Sequence, residues 1–297
     1  MTRNRGPIDS AATGSVAARP DLLAHPSSAL TRLVRLNIKL VRRTLLSKRI
    51  NRLLVWCQQH LGPAWVDYCT RNIRRVHGLD RLPPRESIDN FILIANHRSY
   101  FDLFVASMVL FRDKRIRSRI VFTVRSSFFY DRPLGFLVNG VMSFWSMYPP
   151  VFREQGSSGI NLTAMDELAD LVSREGFSTG IHPEGTRNKT GDPYALLPAR
   201  IGVGRVIHQT RTPVIPVFIN GLGNHLPRQI VGSFTGRGET IVIVFGKPVE
   251  FCALLDQPAG PDTYRAIADR AMSAIYELGE EERIERLSLA APGVRAV

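Results

Sequence analysis

The chain has 297 residues, 44% of them hydrophobic, and carries 39 Lys and Arg against 26 Asp and Glu, a formal net charge of +13. That length suffices to bury the core of one large domain, and the positive excess points to an anionic partner: nucleic acid, an anionic membrane, or a phosphorylated or CoA-like substrate. Cys57, Cys69 and Cys252 lack C-x-x-C spacing and are odd in number, which argues against a disulfide framework and a zinc site and leaves a reducing compartment as the default.

Residues 1–28 mix Gly, Pro, Ser and Ala without an apolar h-region, so they are expected to form a disordered lead rather than a signal peptide. Between Arg32 and Arg52 eight Lys or Arg occur, and no acid appears between Leu22 and Val66. Arg32, Arg35, Lys39, Arg42 and Arg43 recur at helical spacing, with Leu33, Leu36, Leu40, Val41 and Leu45 on much of the remaining surface. Residues 29–78 therefore read as basic amphipathic helices of a membrane interface, the other reading being a solvated helix packed on the domain. Gly62-Pro63 is expected to break this segment, with a second short helix following that carries Trp65, Tyr68, Arg71, Arg74 and Arg75. No stretch of 18 uncharged apolar residues occurs, so no spanning helix is expected.

After "LPP" at 82–84 the pattern changes to alternating strands and helices. Strands are expected over 91–95, 120–124, 177–181, 213–219 and 240–249, and helices over 101–111, 161–175, 200–209 and 261–278. This alternation predicts an α/β domain over residues 79–285, a largely parallel sheet flanked by helices, with a tail at 286–297.

Two stretches carry the chemistry. In "ILIANHRSYFD" (92–102) His97 follows a buried strand and precedes a helix, where α/β folds expose functional side chains. With His97 in the turn and Asp102 in the first helical turn, the carboxylate can reach one imidazole nitrogen and leave the other as a general base. Ser99 and Asp102 are equally a capping-box variant serving the helix N-terminus, and these residues alone leave both readings open. In "GIHPEGTRNKTG" (180–191) a strand runs into a turn that projects Glu184 and Arg187, and Arg187 supplies a forked donor matched to phosphate. A surface turn with a solvated ion pair has the same composition.

Together the motifs resemble the PlsC-like glycerolipid acyltransferases, which include the 1-acyl-sn-glycerol-3-phosphate acyltransferases. "NHRSYFD" resembles their H-x4-D motif, "HPEGTR" their F-P-E-G-T-R, and "TPVIPVFI" their V-P-h-h-P-h. "LPARIGVG", with Gly202, resembles the K-K-G segment, and "FGKPV" at 245–249 the usual end of the domain. The resemblance covers about residues 79–255. Two departures stand out: His182 replaces the usual aromatic before Pro-Glu-Gly, and the G-x-h-F-h-x-R block survives only loosely in "MYPPVFRE", which offers Arg153.

The resemblance implies that Asp102 orients His97, and that His97 takes a proton from a glycerol hydroxyl as it attacks the thioester of acyl-CoA or acyl carrier protein. It implies that Glu184, Gly185, Thr186 and Arg187 form the acceptor's phosphate pocket with help from Arg153, and that Ile215 and Pro216 shape an acyl pocket. The acceptor it implies is a lysophospholipid, 1-acyl-sn-glycerol-3-phosphate before another lysolipid or a lyso-aminolipid, and the product phosphatidic acid. No cofactor is called for. A catalytic Ser or Cys in a G-x-S-x-G elbow is absent from the sequence, and His182, His208 and His225 show no H-E-x-x-H spacing, so no metal is expected. A lipid-made acceptor places the enzyme peripherally on the cytoplasmic face of an anionic membrane. The competing readings are a non-catalytic anionic-lipid-binding protein, a hydrolase using His97, and a nucleic-acid binder, the last lacking any recognised nucleic-acid motif.

Overall fold

Runs such as ILIA, VIPVFIN and IVIVF are apolar on both faces, the pattern of strands covered by helices on both sides. In the computed structural model, which describes residues 19–84, 90–113 and 116–290, they lie at the centre of a seven-stranded sheet. Helices α1 (Arg32–Leu46) and α2 (Lys48–Thr70) lead into β1 (Arg74–His77) and β2 (Ile92–Ala95). Then come α3 (Asp102–Arg112), β3 (Arg119–Arg125), the short α4 (Ser126–Phe129), α5 (Pro133–Ser143) and β4 (Met147–Val151). Helix α6 (Ser158–Val172), β5 (Phe177–Ile181), α7 (Ile201–Thr210), β6 (Val214–Asn220), α8 (Leu226–Thr235), β7 (Ile241–Phe245) and α9 (Pro261–Ala290) complete the order.

The strands lie in the order β1-β7-β6-β2-β5-β3-β4, and every pairing is parallel except β6 with β7. The expected α/β class with a largely parallel sheet is what the chain adopts. Alternation along β2 explains the two layers. Ile92 and Ile94 join a core with α1, α6, α7 and α9, while Leu93 and Ala95 join the core built on α3. Consecutive parallel strands send their carboxyl ends to one edge, so the turns after β2, β3, β4 and β5 gather there.

Several expectations change. Residues 19–28 are not a disordered lead: a 3-10 turn at Leu22–Ala24 puts Leu22 in the core, and its N–H donates to Glu167 Oε2 at 3.2 Å. Residues 1–18 lie outside the described chain, as do 291–297 of the expected tail, whose first five residues continue α9. Helix α1 does not lie free as an interfacial helix. Val34, Ile38, Val41 and Leu45 are all in the core, so its apolar face is spent on the sheet and residues 29–78 do not form a separate layer. Arg35 donates to the carbonyls of Leu23 (2.6 Å) and Leu30 (3.0 Å), and Arg42 to Asp21 (2.7 Å), Glu167 (2.6 Å) and the Tyr148 hydroxyl (2.9 Å).

Gly62-Pro63 does not break the helix, since α2 runs through both. The two residues are buried, and a methyl at Gly62 would lie 2.5 Å from Met108 Sδ, so close packing of α2 on α3 offsets the lost hydrogen bond. Arg74 and Arg75 belong to strand β1, not to a helix. The unforeseen β4 contains Pro149 and Pro150, tolerable because it is the sheet's edge. Among the described residues no helix is long and apolar enough to cross a membrane.

The Arg42 network is the most exposed to a single change. Arg42→Gln leaves the Glu167 carboxylate, only 12% exposed, without its cation, and the expected cost is ~3 kcal/mol. Arg32→Gln, on the exposed face of the same helix, is expected to stay within about 0.5 kcal/mol. Urea denaturation of both variants checks this, and equal midpoints would show that the network contributes nothing.

Candidate active site

The register of β2 against β5 sets Ile94 beside Ile181, so the next residues on both strands, Ala95 and His182, emerge together at the carboxyl edge. Asn96 anchors the turn by pairing its amide with both the N–H (2.8 Å) and the C=O (2.9 Å) of Ile219 on β6. His97 follows, its backbone clamped at both ends. Its N–H donates to Glu184 Oε1 at 2.8 Å, and its C=O accepts from the Asn188 N–H at 2.8 Å.

Asp102 is fully buried at the first turn of α3. One oxygen, Oδ2, accepts from the N–H of Arg98 (2.8 Å) and of Ser99 (2.7 Å) and lies 3.4 Å from His97 Nδ1. That one atom holds the turn ahead of α3 and also reaches the imidazole, while the N-cap residue Phe101 has no side-chain cap. The Ser99 hydroxyl donates to Gly223 O at 3.0 Å and accepts from the N–H of Phe101, just ahead of the helix, at 3.2 Å. The other oxygen, Oδ1, is buried without a hydrogen-bond partner. Burial raises the Asp102 carboxyl to about 7, against the lowering influence of His182 and the Ser99 and Arg98 N–H groups. Burial likewise lowers His97 to about 4, helped by the cations Arg187 and Arg153. The resting contact is thus a hydrogen bond from a neutral imidazole rather than an ion pair. Oδ2 already accepts two N–H groups, so a proton on Asp102 sits on the unpartnered Oδ1, and His97 donates its Nδ1–H to Oδ2 and keeps a lone pair on Nε2.

His182, noted in the sequence without a role, stacks on His97 with ring centroids 3.8 Å apart and planes 10° from parallel. Its Nδ1 lies 3.1 Å from the Ala95 carbonyl, and burial lowers its pKa to about 3. His97, Asp102 and His182 offer ligand atoms within 4.8 Å of one another.

The 184–187 loop divides its labour differently from expectation. Glu184 is buried, and its two oxygens accept from the N–H groups of His97 and Leu197, the latter at 3.0 Å, so it holds the loops and does not face an incoming phosphate. Gly185 has φ +66°, and a methyl there would lie 2.8 Å from Arg200 Cγ. Its carbonyl accepts from Arg153 Nη2 at 2.8 Å, which brings Arg153 to the site as the motif suggested. Half-buried Thr186 leads to Arg187, whose guanidinium lies 3.9 Å over the Tyr100 ring and donates to the Tyr100 hydroxyl at 2.9 Å. Among the described residues no carboxylate pairs with Arg153 or Arg187 within ion-pair distance. Ile215 and Pro216 are buried in β6 beside Leu93 and Ile94, so they serve the sheet core and neither reaches the open side of the site. Tyr100 and Asn96 escaped the sequence reading: an aromatic inside the H-x4-D spacer and a polar residue at a strand end are each common without function.

A family model described as Acyltransferase matches residues 73–220, which span β1 to the end of β6 and hold His97, Asp102, Arg153, His182, Glu184 and Arg187. The chain carries a domain of the acyltransferase family. Similar to this chain are human 1-acyl-sn-glycerol-3-phosphate acyltransferase beta, 26% identical over 58% of the chain and 56% of the relative, and the bovine alpha enzyme, 22% identical over 69% and 62%. The chain thus matches less than two thirds of the length of these curated relatives. The crystal structure of PlsC from Thermotoga maritima shares the fold with a TM-score of 0.51 at 17% identity, covering 86% of this chain and 91% of that one.

The raised Asp102 carboxyl has a consequence for stability. The native state holds the proton more tightly than the unfolded chain, so stability falls as pH rises from the ordinary carboxylate value through about 7. Asn keeps an acceptor for the Arg98 and Ser99 N–H groups and carries no charge. Asp102→Asn is therefore expected to melt at least about 2 °C above the parent at pH 8, with the gain shrinking at pH 5. Calorimetry at the two pH values checks it, and a variant that melts below the parent at pH 8 contradicts it.

Proposed function

We propose that the protein transfers a fatty acyl group from the thioester of acyl-CoA or acyl carrier protein to the free hydroxyl of a lysophospholipid, 1-acyl-sn-glycerol-3-phosphate, to give phosphatidic acid. The observation that carries this reading is a neutral imidazole with a free Nε2, backed by a buried carboxylate and flanked by two guanidiniums without carboxylate partners. The names of the curated relatives point to the same reaction.

His97 Nε2 takes the hydroxyl proton while the hydroxyl oxygen attacks the thioester carbonyl. The tetrahedral adduct collapses by breaking the C–S bond, and the proton on His97 passes to the departing thiolate. Asp102 keeps the Nδ1–H tautomer and stabilises the transient imidazolium. The substrate supplies the nucleophile, so no acyl-enzyme forms. Arg187, with Arg153 beside the same loop, receives the acceptor's phosphate, and no cofactor enters.

The enzyme docks peripherally on an anionic membrane at its cytoplasmic face. Because α1 spends its apolar side on the core, the docking face falls to α2, which exposes Leu53, Trp56, Leu61, Trp65 and Tyr68 beside the exposed cations Lys48, Arg49 and Arg52.

His97→Ala is expected to fold and to lose acyl transfer. Arg187→Ala is expected to raise the acceptor KM about ten- to a hundredfold, since a charge-assisted hydrogen bond contributes ~1.5–3 kcal/mol, while leaving saturation by the thioester unchanged. Arg187→Lys keeps the charge without the fork and recovers part of the loss. Steady-state kinetics with each substrate varied separately decides this: a defect confined to the thioester moves the loop to the donor site.

For docking, the triple replacement of Lys48, Arg49 and Arg52 by Gln is expected to weaken binding to anionic vesicles about a hundredfold, at roughly 1 kcal/mol per cation. Trp56→Ala with Trp65→Ala is expected to weaken binding to neutral vesicles as well. Vesicle flotation reads both, and parent-like binding by both sets would remove α2 from the membrane face.

A further inference from the structure

The contact between His97 and Asp102 is long for a pair that must hold a ring in place. At 3.4 Å it lies at the outer limit of a hydrogen bond, and the accepting oxygen already serves two shorter N–H donors, those of Arg98 and Ser99. The backbone of His97 is fixed at both ends, whereas its ring has, besides the long Asp102 contact, a hydrogen bond with the Ser99 backbone. Against the face of the ring lies His182, parallel at 3.8 Å and tied by its own Nδ1 to the Ala95 carbonyl at the end of β2.

We propose that His182 is a positioning residue of the active centre: its flat ring, anchored to β2, sets the plane in which His97 presents Nε2 to the substrate hydroxyl and keeps that imidazole out of water. Orientation is thereby split between two partners, Asp102 supplying charge and tautomer and His182 supplying the plane. The proposal rests on the reading of His97 as the base.

The anchoring is one-sided, since a carbonyl only accepts. His182 must therefore keep a proton on Nδ1 in every state, which leaves its ring no freedom to flip against Ala95. Charged or titratable groups around His97 are Asp102 from the start of α3, Glu184 through the His97 N–H, Arg187 and Arg153 from the neighbouring loops, and His182 itself. Burial is the largest influence on His97, so uncovering its face is expected to move its protonation upward toward about 6.5, the ordinary imidazole value.

Three variants separate a flat ring from mere bulk and from a second nitrogen. His182→Ala removes the stack, His182→Leu fills space without a plane, and His182→Phe keeps the plane without the nitrogens. With acyl-CoA and lysophosphatidic acid, Ala and Leu are expected to lower kcat about ten- to a hundredfold, with both KM values nearly unchanged, as misorientation of a base does. The acid limb of kcat/KM is expected to rise in pH in the Ala variant, and Phe to restore both rate and limb. NMR titration of the His97 Cε1 proton, read in the same variants with His97→Ala for assignment, follows the imidazole without any turnover. A parent that transfers no acyl group therefore refutes the enzymatic reading, while the shift in His97 titration still tests the stack. Parent-like kcat and titration in the Ala variant, or Leu matching Phe, overturns the proposal. So does a Phe variant as poor as Ala, which would assign the effect to a nitrogen of His182.

Discussion

The parallel register of β2 between β5 and β6 is the constraint on which the open end of the sheet depends. It sets Ala95 beside His182 on one side and pairs β2 with β6 on the other, where Asn96 continues the pairing with its side chain after the strand has ended. The main chain of His97 is then held by groups from the β5 loop alone, Glu184 at its N–H and Asn188 at its C=O. Sliding β5 by one residue would reverse the faces of its side chains and separate every one of these contacts. Precision at the imidazole is thus inherited from the ladder rather than built by the loop.

The sheet was legible because central parallel strands are apolar throughout and few other structures bury such runs. Strand β5 matched its expected bounds, and β2 and β6 came within one residue. What escaped was decided by partners distant in sequence. The burial of α1 depends on a core it meets only in three dimensions, and no local pattern distinguishes a helix lying on lipid from one lying on a sheet. Pro63 reads as a breaker until α3 is known to cover it. The site was legible in its residues and less so in its roles. His97, Asp102, Arg153 and Arg187 do come together, but Glu184 proved to be an internal clamp, because a carboxylate in a motif does not announce which way it faces. Ile215 and Pro216 proved to be sheet core. His182 could be singled out only as a departure from a pattern, since stacking is a relation between two loops.

The charge excess is likewise divided in a way composition cannot show. Arg42 and Arg205 are paired with acids, whereas Arg119 is fully buried and meets only neutral acceptors. Its guanidinium bonds Thr44 on α1, Asn51 on α2, and Phe144, Trp145 and Ser146 ahead of β4, and burial lowers its pKa to about 9. One cation thereby joins the N-terminal helices to the approach of an edge strand. Arg153 and Arg187 are held by a carbonyl and by an aromatic ring, contacts that secure a guanidinium without neutralising it. Such charges stay available to an incoming anion at the edge where His97 sits.

The two prolines of β4 reach beyond the fold of a single molecule. A parallel sheet ends in a row of unsatisfied donors and acceptors, and a second chain can add a strand there and begin a polymer. Pro149 and Pro150 each lack a donor, and because successive residues of a strand face opposite sides one of these gaps falls in that row; at the opposite margin β1 is only four residues long and carries Arg74 and Arg75. Both margins therefore resist templated growth. For a protein that exposes apolar side chains along α2, this confines self-association to side-chain contacts and denies it the backbone ladder that makes aggregates irreversible.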